Sequence, residues 1–182
     1  MAGSTRPGQF RTDRHLPLWG FDFGNSPAEL ERAEVAGKTL IQTTSNGTAG
    51  INAAHGADRI YAGALVTAEA TARAILRQAP DVVTLVAMGR SNGTIRADED
   101  ELCAIYLRAR LEGRQPDVAG VRAVLATMPP PPNPKLVAAG AYDPKDRGIA
   151  ADIDATAFAI SVRREAGLLI AEAEKNDLQP AS

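Results

Sequence analysis

A run of small polar residues between two apolar stretches has the composition of a phosphate-binding turn. The run Thr43-Thr44-Ser45-Asn46-Gly47-Thr48 follows a short strand-like sequence, Thr39–Thr43, and is followed by helix-forming residues from Ala49. Its hydroxyls can donate hydrogen bonds, and the free N–H groups at a helix N-terminus favour an oxyanion. The run is therefore a candidate anion cradle, although the same residues also suit an ordinary connection between a strand and a helix.

The tetrapeptide Ser45-Asn46-Gly47-Thr48 recurs later in the chain as Ser91-Asn92-Gly93-Thr94. The second copy follows Val82–Ala87, a continuous apolar run that is typical of a buried parallel strand. If both copies follow parallel strands, both lie at the carboxyl edge of one sheet, where open α/β folds bind ligands. A chance repeat of four common turn residues is the alternative.

Four consecutive acidic residues, Asp98-Glu99-Asp100-Glu101, begin a predicted helix that ends at Gly113. Carboxylates in a first turn complement the helix dipole, and this role alone can account for them. A magnesium site is the functional alternative, because Mg²⁺ binds carboxylate oxygens and retains several waters. The apolar spacing predicts that one face of this helix is buried, formed by Leu102, Ile105, Tyr106 and Ala109.

The cysteine and the histidines are not predicted to be catalytic. Cys103 lies on a mostly apolar helical stripe beside acidic residues, which would raise the pKa of its thiol. His15 and His55 have no catalytic partner nearby in the sequence. A lone cysteine also excludes an intrachain disulfide.

Composition bounds the class of protein. The chain has 182 residues, of which 45% are hydrophobic and 23% charged, as expected for a globular domain. A net charge of −2 and an aromatic content of 4% argue against nucleic-acid binding. Because no signal peptide or membrane-spanning run is present, the sequence predicts a cytoplasmic protein with no membrane partner. A homo-oligomer remains open.

Alternating strand and helix patterns predict an α/β fold. We expect three α/β/α layers around a mostly parallel, mixed sheet that ends in a C-terminal β-hairpin. The predicted domain spans residues 19–173, between an irregular arm at 1–18 and a frayed tail at 174–182. Ser26 as N-cap, Pro27 at the first helical position and Glu29, placed to close a capping box, predict a helix from Pro27 to Ala36. The other predicted elements are a strand Arg59–Ala62, helices Thr67–Gln78, from Pro116 and Lys135–Tyr142, and hairpin strands Phe158–Arg163 and Leu168–Ala173.

Three sequence blocks, in this order and spacing, resemble the 2-phosphosulfolactate phosphatase family, magnesium-dependent phosphatases of coenzyme M biosynthesis. The blocks are Gly20-Phe21-Asp22-Phe23-Gly24-Asn25-Ser26-Pro27, Thr43-Thr44-Ser45-Asn46-Gly47-Thr48, and Glu99-Asp100 with Leu102-Cys103-Ala104. The resemblance extends from about Gly20 to Gly167. It implies that the chain hydrolyses a phosphate monoester of a small organic acid with Mg²⁺.

The resemblance also implies roles for particular residues. Substrate phosphate would be bound by Asn25 and by the turn residues Thr43, Thr44, Ser45, Asn46, Gly47 and Thr48. Magnesium would be held by Asp22, Glu99 and Asp100. The resemblance assigns no nucleophile or general base.

One feature of the family has no counterpart in this sequence. Family members begin with a further strand–helix segment that carries an Asp and an Arg near the active site, whereas the residues before Trp19 contain no such motif. We therefore expect weak or absent activity from this chain alone. The alternative function is a non-catalytic, N-terminally truncated homologue that binds a small anion or serves as a structural subunit.

Overall fold

The computed structural model describes residues 20–44, 46–89, 95–128 and 143–175. Their helices are α1 (Pro27–Glu31), α2 (Gly47–Ala53), α3 (Ala68–Arg77), α4 (Asp98–Leu111), α5 (Val118–Thr127) and α6 (Lys145–Ala150). Their strands are β1 (Ile60–Tyr61), β2 (Phe158–Glu165) and β3 (Leu168–Lys175), and a 3₁₀ turn, Leu65–Thr67, leads into α3. The chain divides into two compact units, the first Met1–Lys38 with Pro129–Arg147 and the second Thr39–Met128 with Gly148–Ser182.

The sheet of the second unit confirms the predicted hairpin. Its strand order is β1-β2-β3, and both pairings are antiparallel. The turn residues Ala166 and Gly167 have φ values of 49° and 81°. Two positive φ angles in a two-residue loop match the right-handed twist of the flanking strands. The hairpin is longer than predicted, because β3 continues to Lys175 opposite Phe158.

The predicted mostly parallel sheet is wrong for the part of the chain that the structure describes. Residues Thr39–Thr43 and Val82–Ala87 form no strand, and Val82 and Ile41 are 80% and 85% exposed. The predicted parallel strands required neighbours to which their N–H and C=O groups could bond. The described segments have no such pairing, so apolar composition alone did not make them strands.

The core of the second unit lies where α3 and α4 meet the 3₁₀ turn and β2. It consists of Leu65, Ala68, Tyr106, Leu107 and Ile153, with Leu85, Cys103, Val118, Val121 and Leu125 packed against it. Helix α3 buries Ala68, Ala70, Ala72 and Ala74. Their short side chains let the neighbouring elements approach closely, which explains how a chain with few aromatics closes its core.

The buried face of α4 is rotated from the predicted one. Tyr106 and Ala109 are buried as expected, whereas Ile105 is 64% exposed and Leu107 is 5% exposed. Periodicity locates an apolar stripe on a helix only approximately. Here the position of α3 and the 3₁₀ turn decides that Leu107 faces the core.

A polar cluster joins α3, α4 and the loop before β2. The carboxylate of Asp154 accepts hydrogen bonds from the Glu69 N–H at 2.7 Å, the Tyr106 hydroxyl at 2.5 Å and the Arg110 guanidinium at 2.8 Å. Arg110 also pairs with Glu69 at 3.1 Å, and its guanidinium lies 5.4 Å from the Tyr106 ring centre. Burial, with the Asp154 hydrogen bond, raises the pKa of Tyr106, so this hydroxyl remains a donor. The cluster fixes three elements to one another.

Among the described residues, no helix has both the length and the apolar character that are needed to cross a membrane.

Candidate functional site

The loop that carries Asp22 and Asn25 lies in the first unit and is held by side-chain hydrogen bonds. The Ser26 hydroxyl caps α1 by accepting from the Glu29 N–H at 3.2 Å, as predicted. The predicted capping box is wrong, because the Glu29 carboxylate accepts from the Gly24 N–H at 3.1 Å instead of returning to Ser26. Helix α1 also ends at Glu31 rather than at Ala36. Both Asp22 and Asn25 are exposed on this loop.

The polar turn before α2 lies in the second unit, and its side-chain hydroxyls bind some of its own backbone N–H groups. The Thr44 hydroxyl accepts from the Thr48 N–H at 3.0 Å, and the Thr48 hydroxyl accepts from the Thr44 N–H at 3.1 Å. The Thr48 hydroxyl also donates to the Thr44 carbonyl at 2.8 Å. An oxyanion must therefore compete with these hydroxyls for two of the N–H donors of the turn.

The other predicted ligands of the phosphate are placed as follows. Asn46 is the N-terminal capping residue of α2 and makes no capping bond with its side chain, and Gly47 is the first residue of that helix. Thr43 is exposed and lies in the segment without regular secondary structure that precedes the turn. Ser45 and the whole second tetrapeptide, Ser91-Asn92-Gly93-Thr94, lie outside the described residues, as does the predicted helix Lys135–Tyr142.

The acidic residues begin α4, as the sequence predicted. One carboxylate oxygen of Asp100 accepts from the Gly89 N–H at 2.8 Å, and Gly89 has a φ of 64°. Glu101 pairs with Arg96 across the start of the helix. Asp100 thus holds the backbone at Gly89, just after the Val82–Ala87 run, in addition to complementing the helix dipole.

The predicted metal ligands are divided between the two units, with Asp22 in the first and Glu99 and Asp100 in the second. Within either unit, the described residues contain no group of three His, Cys, Asp or Glu side chains that could hold a metal ion. The carboxylate oxygens have the donor chemistry that Mg²⁺ requires, and Mg²⁺ is commonly held by one or two carboxylates plus waters. The metal site remains a prediction.

A groove of 440 Å³ in the second unit has none of the candidate phosphate or magnesium ligands among its described lining residues. It is lined by the segment His55–Tyr61, by residues of β2 and by Glu174. Among its charged side chains, Arg164 donates to the Asn52 carbonyl at 2.6 Å, and Glu174 accepts from Tyr61 at 3.2 Å and from Arg77 at 3.1 Å. These contacts give Arg164 and Glu174 structural partners.

Sequence reasoning missed Asp146. Its carboxylate accepts from the Ser26 hydroxyl at 2.7 Å and from the Ala28 N–H at 3.0 Å, at the start of α1. The sequence could not indicate this contact, because the partners are 118 and 120 positions apart.

The structure supports the sequence assignment of Cys103 as a core residue rather than a nucleophile. Burial, followed by the nearby Asp100 carboxylate, raises the pKa of the thiol to about 11. The thiol is therefore neutral at physiological pH, whereas a thiolate is the reactive form.

The Cys103 thiol predicts a loss of stability in alkaline solution. The unfolded thiol ionises near pH 9.0 and the folded one near pH 11. The unfolded state releases this proton at a lower pH than the folded state does. The contribution of the thiol to the free energy of unfolding is therefore intact below pH 9.0 and is lost as the pH rises to about 11. We expect a loss of about 2 kcal/mol over this interval. Urea unfolding of the wild type and of Cys103→Ala at several pH values measures this loss. An equal dependence of the free energy of unfolding on pH in the two proteins would contradict the prediction.

These elements define an α/β protein in which a capped loop, a threonine-rich turn and an acidic helix start carry the candidate residues. The sequence profile of the 2-phosphosulpholactate phosphatase family matches residues 15–130. The chain belongs to this family. No solved structure matches the chain.

Individual relatives carry the same family name. A probable 2-phosphosulfolactate phosphatase of Parasynechococcus marenigrum (strain WH8102) is 39% identical over 95 residues, which are 52% of this chain and 38% of the relative. One from Clostridium novyi (strain NT) is 37% identical over 92 residues, covering 50% and 38%. One from Caldicellulosiruptor saccharolyticus is 34% identical over 107 residues, covering 57% and 43%. The chain thus matches about two fifths of the length of these relatives.

Proposed function

We propose that this chain functions as a magnesium-dependent phosphatase that hydrolyses a phosphate monoester of a small organic acid. The observation that carries the proposal is the family match over residues 15–130. The matched range includes the Asp22–Asn25 loop, the Thr43–Thr48 turn and the acidic start of α4. The names of the relatives support 2-phosphosulfolactate as the first substrate to test.

In the proposed site, the Thr43–Thr48 turn and Asn25 bind the substrate phosphate. The hydroxyls of Thr44 and Thr48 give up their bonds to the backbone N–H groups, which then face the phosphate oxygens. Replacing a threonine hydroxyl by a phosphate oxygen as the acceptor of each N–H is favourable, because hydrogen bonds to ionised groups are about twice as strong as those between neutral groups.

Asp22, Glu99 and Asp100 are the residues that would hold magnesium. One oxygen of Asp100 accepts from the Gly89 N–H at 2.8 Å, and this bond orients the carboxylate. Bound magnesium supplies charge stabilisation to the transferring phosphoryl group.

A second candidate function is a non-catalytic homologue that binds a small anion or serves as a structural subunit. The exposed apolar side chains of Leu40, Ile41, Val82 and Val86 favour it, because exposed apolar patches often mark a surface that binds another chain.

If the turn binds phosphate, inorganic phosphate with magnesium stabilises the protein. At 100 times the dissociation constant, the ligand adds about 2.7 kcal/mol to the free energy of unfolding. Thermal melts in tens of millimolar phosphate measure the effect. Asn46→Ala should reduce it more than Asn92→Ala, a control in the repeated tetrapeptide outside the family block. Unchanged melting temperatures in the wild type would refute anion binding at this turn.

Asp100→Asn separates a magnesium ligand from a structural acid. The amide oxygen of asparagine can still accept from the Gly89 N–H, so the fold should persist. If Asp100 holds Mg²⁺, the variant loses phosphate release and most of the stabilisation that magnesium gives the wild type. If Asp100 serves only the helix, the variant loses about 0.3–1 kcal/mol, with and without magnesium. Thermal melts with magnesium and with a chelator, together with a phosphate-release assay, distinguish the two cases. If magnesium does not change the melting temperature of the wild type, the proposed metal site is refuted.

A further inference from the structure

The start of α1 is held from outside the helix by a carboxylate. One oxygen of Asp146 accepts from both the Ser26 hydroxyl and the Ala28 N–H, and the other accepts from the Asp143 N–H at 3.2 Å. All four residues lie in the first unit. The carboxylate therefore connects the segment before α6 to the loop that ends at Ser26.

The chemistry of Asp146 fixes the direction of the Ser26 hydroxyl. An ionised carboxylate only accepts hydrogen bonds, so the Ser26 proton must point towards Asp146. The oxygen lone pairs of Ser26 are then available to the Glu29 N–H, which donates to them at 3.2 Å. Asp146 thus sets the cap of α1 through Ser26 as well as binding the Ala28 N–H itself.

Water cannot easily replace this carboxylate. Ser26 and Ala28 are 7% and 1% exposed, so their donors would be left buried without an acceptor. On the other side of the cap, Asn25 immediately precedes Ser26, and Asp22 lies three residues further back. Both are exposed, and the nearest restraint on their loop is the bond from the Gly24 N–H to Glu29.

We propose that Asp146 is a positioning residue for the Asp22–Asn25 loop, which it orders through Ser26 and Ala28 so that Asn25 is held ready for phosphate. The role of the loop in phosphate binding rests on the proposed function, whereas the ordering of the loop does not. Asp146 itself touches no substrate in this proposal.

The test is backbone ¹⁵N relaxation and amide exchange on the whole chain, in the wild type, Asp146→Ala and Asp146→Asn. In Asp146→Ala we expect the order parameters of Gly24 and Asn25 to fall from about 0.85 to below about 0.6. The Ala28 amide should lose its exchange protection. Asp146→Asn should restore both, because its amide oxygen can accept from Ser26 and Ala28.

Arg32→Ala is the matched control, since it removes the exposed 3.0 Å pair with Asp143 and leaves the bonds of Asp146 in place. It should leave Gly24 and Asn25 ordered. Ser26→Ala should disorder Asn25 as Asp146→Ala does, and the double variant should add little, because the two residues act in one pathway. An ordered Asn25 in Asp146→Ala, or equal disorder in Arg32→Ala, would overturn the proposal.

Titration with inorganic phosphate, followed at the side-chain amide of Asn25, separates this proposal from the proposed function. We expect the dissociation constant of phosphate to rise about tenfold in Asp146→Ala and to recover in Asp146→Asn. If wild-type Asn25 does not respond to phosphate, the proposed function fails, and the relaxation data still decide whether Asp146 orders the loop. Weaker phosphate binding in Asp146→Ala with an ordered loop would contradict positioning.

Discussion

Asp154→Ala is expected to lower the free energy of unfolding by about 3 kcal/mol, the lower end of the cost of breaking a buried ion pair, because the Asp154 and Arg110 side chains are 18% and 15% exposed. The variant removes the acceptor of Tyr106, Arg110 and the Glu69 N–H together. The side chain of Arg110 is only 15% exposed, and its Nε atom already has no partner among the described residues. Among the described residues, the guanidinium charge would then keep only Glu69 as an anionic partner.

The backbone adds to this effect, because Asp154 has a φ of 59°. Aspartate and asparagine tolerate the left-handed region better than alanine does. Asp154→Asn therefore keeps the backbone preference and the acceptor for Glu69, but turns an amide N–H₂ towards Arg110 and Tyr106. If the lost charge, rather than the backbone conformation, accounts for most of the effect, Asp154→Asn should lower the free energy of unfolding by more than half as much as Asp154→Ala.

Urea unfolding followed by circular dichroism measures these differences. Asp152→Ala is the control, because Asp152 is two residues away, 63% exposed and 3.5 Å from Arg122. A pair of this kind is worth about 0–1 kcal/mol. Similar losses in Asp152→Ala and Asp154→Ala would show that the cluster does not hold the second unit together.

Leu107→Ala is the second large effect, with an expected loss of about 2–5 kcal/mol. Leu107 belongs to the core cluster with Leu65, Tyr106 and Ile153, where a truncated side chain leaves a cavity. The backbone of Gly63 packs closely against this side chain, because a Cβ at Gly63 would be only 3.0 Å from Leu107 Cδ1. The packing that makes Leu107 costly to remove is therefore tertiary.

The matched control is Ile105→Ala, two positions earlier on the same helix and 64% exposed. Its loss should stay within about 0.5 kcal/mol, as for most surface substitutions. The helical pattern in the sequence predicts the opposite order, because it includes Ile105 in the buried stripe. Urea unfolding of both variants thus tests the rotation of α4; a larger loss for Ile105→Ala would mean that the helix faces the core differently.

The sequence alone determined the elements that depend on local physics. It predicted the start of α4 at its acidic first turn, the helix after Pro116, the Ser26 cap and the hairpin around Ala166-Gly167. Caps, helix dipoles and tight turns involve residues within a few positions of one another, so their stabilising contacts can be inferred from spacing. The three family blocks were likewise recognisable, because each is a contiguous run of residue types.

Only the tertiary structure decided the features that depend on distant neighbours. The apolar runs at Thr39–Thr43 and Val82–Ala87 have strand composition, but a strand exists only where another strand accepts its hydrogen bonds. The left-handed Asp154 and the carboxylate of Asp146 each bind groups far away in the sequence, which no periodicity encodes. Local propensity determines where a helix begins. Which face of the helix is buried, and which charged side chain binds its terminus, are determined by the elements that pack against it.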